Sequence, residues 1–118
     1  MVRRVKLLRP SLFGGIWRAA ELSLHPDKVS VTIIDRRLSC LLAESEPKVE
    51  IAMEAIVAVV LLNDSQIQIH YEEGPFEETW IELKDISRKQ ALVLVHELRQ
   101  QVLRIRQAFI KSVFDPYS

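Results

Sequence analysis

A single change of hydrophobic period, at Ser87, constrains this chain more than any other feature of its sequence. Before Ser87, apolar residues alternate with polar ones in several short runs, the pattern of β-strands with one buried face. After Ser87, apolar residues recur at steps of three and four, the pattern of an amphipathic helix. Short strands followed by one helix predict an α+β domain, in which an antiparallel sheet curls and a long C-terminal helix caps it.

The C-terminal helix has a well-defined predicted start. Ser87 and Gln90 have the spacing of a capping box, in which the serine hydroxyl accepts a hydrogen bond from the backbone N–H of Gln90. We expect the helix to cover residues 87–111, and at 1.5 Å per residue it would be about 36 Å long. Its apolar stripe consists of Ala91, Val95, Leu98, Val102, Ile105 and Phe109.

The strands are predicted from alternation and from the turn residues between them. His25-Pro26-Asp27-Lys28 predicts the turn of a first hairpin, and a second hairpin is expected over residues 66–84. Residues 49–62 favour two short strands with a kink near Glu54, and a further strand is expected over residues 38–43. The expected core comprises Val29, Val31, Ile33, Ile67, Ile69, Ile81 and Leu83 of the strands with Ala91, Val95, Leu98 and Val102 of the helix.

The order of these elements resembles the bacterial pleckstrin-homology-like (PH-like) domains between about residues 17 and 104. The residues that carry the resemblance are 49–51 with Ile56, then 66–69, 80–83 and the helix from Ser87. The resemblance implies a barrel of about seven strands capped by one helix, and a scaffold that binds lipids, peptides or copies of itself. The chain differs in having a long stretch before Trp17 and a helix about two turns longer than a cap requires.

Length and composition favour one intracellular domain. The 118 residues are enough for one core, and we divide them into a basic and apolar segment (1–16), antiparallel strands (17–84) and the helix (87–111). The N-terminal segment has no continuous apolar run typical of a signal peptide. Cys40 has no second cysteine to pair with. We therefore expect a cytoplasmic location.

Charge is balanced overall but divided along the chain. The 16 basic and 16 acidic residues cancel, yet residues 1–37 carry a net charge of +5, residues 38–85 of −9 and residues 86–118 of +4. Such a division could attract copies head to tail or present a basic face to an anionic partner. A solvated surface of mixed charge is the other interpretation.

The sequence gives no pattern of catalytic or metal-binding residues. The three histidines (His25, His70 and His96) lack a second His or Cys at ligand spacing, and the three glycines form no phosphate-binding loop. Glutamates flank Gly74-Pro75 but lack the spacing of a calcium loop. We therefore expect no enzyme activity, no cofactor and no metal.

After these exclusions, the sequence leaves two binding functions as candidates. The first is a module for protein contacts or self-assembly, with a homo-oligomer interface that includes Ile105, Phe109, Ile110 and Phe114. In the alternative for that surface, the N-terminal segment, with Leu7, Leu8, Leu12 and Phe13, folds back over the helix. The second function is peripheral binding of anionic lipid head groups by basic residues near the N-terminus: Arg3, Arg4, Lys6, Arg9 and Arg18.

Two further expectations concern the surroundings of the aromatic residues and the N-terminus. Nucleic-acid binding is not expected, because Tyr71 and Trp80 lie among acidic residues. Residues 1–10 precede the strongest strand signals, and the sequence therefore predicts that they can be deleted without unfolding the domain.

Overall fold

The computed structural model describes residues 2–10, 17–34 and 48–114, in which it forms strands, a 3-10 turn and one α-helix. The helix is α1 (Arg88–Phe114), and Met53–Ala55 form the 3-10 turn. The strands are β1 (Val2–Leu8), β2 (Arg18–Leu24), β3 (Lys28–Ile33), β4 (Lys48–Ala52), β5 (Ile56–Asn63), β6 (Gln66–Gly74) and β7 (Glu77–Lys84).

The strands form one antiparallel sheet in the order β4-β3-β2-β1-β7-β6-β5. This sheet curls without closing, and β4 and β5 are therefore its two edges. Helix α1 packs against β5, the 3-10 turn and β6. The predicted fold class, an antiparallel sheet capped by one long C-terminal helix, is confirmed.

Strand β1, which comes from the N-terminal segment, lies in the middle of this sheet. β1 pairs with β2 on one side and with β7 on the other. Val5 and Leu7 alternate with exposed Arg4 and Lys6, and both apolar side chains are buried. The expectation that residues 1–10 are dispensable is therefore wrong, because their removal would cut a continuous seven-stranded sheet into two pieces.

The irregular middle of the chain forms as the sequence predicts. β4 ends at Ala52, the 3-10 turn follows, and β5 begins at Ile56, which places the kink at Glu54. Met53 is buried within that turn and fixes it to the core. The strand expected over residues 38–43 lies outside the described residues.

Helix α1 begins where the capping box predicts and extends three residues beyond the expected end at Lys111. The backbone N–H of Gln90 donates to Ser87 Oγ at 3.2 Å, and the N–H of Ala91 donates to the Ser87 carbonyl at 2.8 Å. The first bond satisfies an N–H group that a helix start leaves without an intrahelical partner, and the second is the first backbone bond of the helix itself.

The core follows the two periods of the sequence. Every predicted core residue is buried except Ile33, which is partly buried and packs against the others. Leu94 and Ile86 also belong to the core, as do Met53 and Tyr71. Within the part of the chain described, no helix is long and apolar enough to cross a membrane.

We expect Leu98→Ala to lower the free energy of unfolding by about 2–5 kcal/mol, because it opens a cavity at a completely buried position. Urea denaturation measures the loss. Leu103→Ala is the matched control on the same helix, since Leu103 is 48% exposed, and it should change stability by less than about 0.5 kcal/mol. Equal effects of the two substitutions would contradict the assignment of Leu98 to the core.

Candidate functional site

The C-terminal half of α1 extends beyond the surface that the barrel offers it. Among the helix side chains that the structure describes, Val102 is the last that is buried, and Ile105 is partly buried against the core. Phe109 continues the same row because it follows Leu98 by eleven residues, about three turns. It is nevertheless 68% exposed, and Ile110 is 53% exposed. Of the four predicted interface residues, the side chain of Phe114 lies outside the described part of the structure.

A groove runs between α1 and the edge strand β5. Its volume is about 410 Å³, within the range of roughly 300–1,000 Å³ that small-molecule sites have. Val57 and Leu103 are exposed on its two sides. Because Arg99, Leu103, Arg106 and Ile110 recur at steps of four and three, they share one row of the helix. Ile110 therefore lies on the same row of the helix, one turn beyond the residues that line the groove.

Two arginines of that row hold the helix to the edge strand. Arg99 donates from Nε and Nη2 to the carbonyl of Val59, at 3.2 and 2.8 Å. Arg106 donates from Nη2 to the carbonyl of Ile56 at 2.9 Å. An edge strand normally exposes such carbonyls to other chains. Here guanidinium groups occupy two of them, which the sequence analysis did not predict.

The basic residues near the N-terminus do not form one patch, because β1 alternates between two faces of the sheet. Arg4 and Lys6 point outward, and Lys6 Nζ lies 3.5 Å from Asp85 Oδ2. Arg3 donates from Nη1 to the carbonyl of Gln90 at 3.2 Å, at the helix start. The expected anionic-ligand residues are thus divided between opposite faces.

Arg9 and Arg18 lie near the other end of the β1–β2 pair. Arg18 is only 5% exposed and is opposite Leu7 in the β1–β2 register, which places it on the inward face of β2. Arg9 lines a cavity of about 240 Å³ together with Lys48 and the acidic Glu72 and Glu73. This cavity is of mixed charge.

Glu50 of β4, which also lines that cavity, forms salt bridges with Lys48 of the same strand and with Lys28 of β3. Glu50 Oε1 lies 3.0 Å from Lys48 Nζ and 3.5 Å from Lys28 Nζ. The hydrogen bond from Lys48, and then the charge of Lys28, hold the pKa of the Glu50 carboxyl below its usual range. Glu50 therefore stays ionised at neutral pH.

The histidines that the sequence analysis considered for catalysis take part in local polar contacts. His70 Nε2 lies 2.7 Å from Gln68 Oε1, and its Nδ1 lies 3.6 Å from Glu78. His25 Nε2 is 3.3 Å from Ser23 Oγ at an exposed turn, and no carboxylate among the described residues hydrogen-bonds its ring. The described residues contain no group of three side chains suited to a metal ion.

The tip of the β6–β7 hairpin is a feature that the sequence analysis missed. Phe76 is completely exposed, at 106% of the reference accessibility, and has a φ of 65°. Pro75 fixes its own φ near −65°, and Phe76, the residue after it, has a positive φ. The turn therefore resembles a type II turn, in which the position of Phe76 normally holds glycine or asparagine. The sequence signal that could have revealed this feature is Phe76 directly after Pro75, because a bulky residue disfavours a positive φ.

We expect Arg99→Ala to lower the free energy of unfolding by about 1–3 kcal/mol, because the Val59 carbonyl loses a charged hydrogen-bond donor. Thermal and urea unfolding measure the change. Arg104→Ala is the matched control, since Arg104 is an exposed arginine of the same helix. If Arg99→Ala is as stable as Arg104→Ala, the contact to β5 does not hold the helix in place.

Comparison with known proteins identifies the fold. No protein-family model and no curated protein matches the chain. Among solved structures, the Slm1-PH domain in complex with inositol-4-phosphate superposes with a TM-score of 0.55 at 14% identity, covering 86% of this chain and 94% of that one. The PDZ-RhoGEF DH/PH domains in complex with GTP-gamma-S activated RhoA give 0.53 at 13%, covering 85% of this chain and 28% of that one. The chain therefore has the PH-like fold, which confirms the resemblance seen in its sequence.

Proposed function

We propose that this chain is a non-catalytic binding module of PH-like type that assembles with further copies of itself through the C-terminal half of α1 and the adjoining barrel surface. The observation that carries the proposal is that the apolar side chains of α1 continue beyond the part of the helix that packs on the core. Phe109 and Ile110 lie beyond the last buried helix residue and remain mostly exposed.

Burial energies indicate how large such an interface must be. Burying one Phe or Ile side chain contributes about 1.5–3 kcal/mol, whereas association costs about 4–15 kcal/mol in lost freedom. Phe109 and Ile110 alone reach only the lower part of that range. The proposed interface therefore also includes Leu103 of the helix and Val57 of the neighbouring strand β5, which are both exposed.

The N-terminal segment offers less cover for the helix than the sequence suggested. Leu7 is buried in β1, and Leu8 belongs to the same strand. Neither can also fold back over the end of α1. Leu12 and Phe13 lie outside the described residues.

We expect wild-type protein to gain mass with concentration in multi-angle light scattering, and Phe109→Asp to remain monomeric, because a charge in the interface would be desolvated without a partner. Val93→Asp is the matched control, since Val93 is an exposed apolar residue on another face of the same helix. It should associate like the wild type. A strictly monomeric wild type at high concentration would exclude self-assembly.

A second candidate function is binding of anionic head groups at the end of the barrel where Arg9 and Arg18 lie. The specific observation in its favour is that the Slm1-PH structure is a complex with inositol-4-phosphate. In this chain, Arg9 lines a cavity beside Lys48, although Glu72 and Glu73 oppose an anion there.

Vesicle sedimentation with and without a 4-phosphorylated inositol lipid tests this second function. We expect Arg9→Glu to reduce lipid-dependent sedimentation by about tenfold, the loss of one charged contact. Arg4→Glu, on the outward face of β1, should sediment like the wild type. Equal behaviour of all three proteins would contradict a head-group site at Arg9.

A further inference from the structure

The hairpin tip presents an aromatic ring that the fold itself does not need. Phe76 makes up half of the two-residue connection between Gly74 and Glu77, and its side chain is completely exposed. Its positive φ would be accommodated by glycine without strain. A bulky apolar residue in this conformation and this position is therefore explained by a contact outside the chain.

Acidic side chains surround that ring. Glu72 and Glu78 face each other across the hairpin, Glu73 and Glu77 adjoin them, and all four are exposed. Among the described residues none of the four forms an ion pair with a lysine or arginine, although Glu72 and Glu73 line a cavity that also contains Arg9 and Lys48, and Glu78 lies 3.6 Å from the His70 ring. The tip is thus a phenyl ring within a collar of negative charge, which an anionic membrane surface would repel.

The groove between α1 and β5 is complementary to this tip, because it combines apolar side chains with positive charge. Its apolar surface includes Val57, Val102 and Leu103, and its cations are Arg99 and Arg106. A cavity of about 150 Å³ is enough for a benzene ring, whereas this groove has about 410 Å³. By volume, the groove can therefore hold a phenyl ring.

The two arginines also keep hydrogen-bond donors for an acidic partner. A guanidinium has about five N–H donors. Arg99 gives the Val59 carbonyl bonds from Nε and Nη2, and Arg106 gives the Ile56 carbonyl one bond from Nη2. The remaining N–H groups can donate hydrogen bonds to carboxylates. Guanidinium groups also attract the faces of aromatic rings.

We infer that the β6–β7 tip of one copy docks in the α1–β5 groove of a second copy, with Phe76 in the groove and its glutamates at Arg99 and Arg106. The inference rests on the proposed self-assembly and names its contact. The exposure of Phe76 shows that the tip does not occupy the groove of its own chain. Because tip and groove are different surfaces, each copy offers one of each to its neighbours.

This arrangement makes a specific prediction for a pair of variants, each of which lacks one half of the contact. Phe76→Gly removes the ring and accepts the positive φ, and it should retain or exceed wild-type thermal stability. Leu103→Asp places a negative charge at an exposed position of the groove. Sedimentation velocity should show each variant to associate about 10- to 100-fold more weakly than wild type, the loss expected for one buried apolar side chain.

The two variants mixed in equal amounts should form a one-to-one complex, because Phe76→Gly supplies an intact groove and Leu103→Asp an intact tip. Failure of this complementation would overturn the inference. So would self-association of Phe76→Gly at wild-type strength, and in that case assembly through the helix would still stand. A wild type that is monomeric at every concentration would overturn both, and would leave the groove to a different partner.

Discussion

Leu94, Leu98 and Val102 of α1 cover the inner face of a sheet that does not close on itself, and the rest of the structure depends on this contact. A curled sheet with two edge strands leaves apolar side chains and backbone carbonyls that strands alone cannot cover. The helix covers these apolar side chains with its own apolar row. With Arg99 and Arg106 it satisfies carbonyls of the edge strand β5. One element thus covers part of the core and bonds two carbonyls of an edge strand.

The same geometry explains why the helix presents an exposed apolar surface. Among the described side chains of the helix, burial stops at Val102, and Ile105 is only partly covered. A helix continues its apolar row at about 3.6 residues per turn whether or not the barrel continues beneath it. Phe109 and Ile110 are therefore carried past the core and remain exposed. A substitution that unfolds the helix would also remove this exposed apolar surface, whereas changes at these two positions should leave the core intact.

Much of the fold could be predicted from the sequence, because strand alternation and helix capping are local signals. The kink at Glu54, both hairpins and the cap at Ser87 lie where the pattern places them. β1 was missed because the four basic residues around Val5 and Leu7 suggested a charged tail, although alternation places Arg4 and Lys6 outside and the apolar pair inside. The groove could not be predicted, since Arg99 and Val59 are 40 residues apart and only the folded sheet brings them together.

The fold also turns a charge division along the chain into a division in space. The acidic segment from Leu38 to Asp85 includes the β6–β7 hairpin, and glutamates of β6 and β7 come together at its tip around Phe76. The basic C-terminal segment supplies the arginines of the groove. At zero net charge, no long-range repulsion between copies opposes the attraction of one such surface for the other. Selectivity would then come from the ring, because carboxylate–guanidinium pairs at an exposed surface contribute only about 0–1 kcal/mol each, whereas the apolar contact is buried only when tip and groove fit.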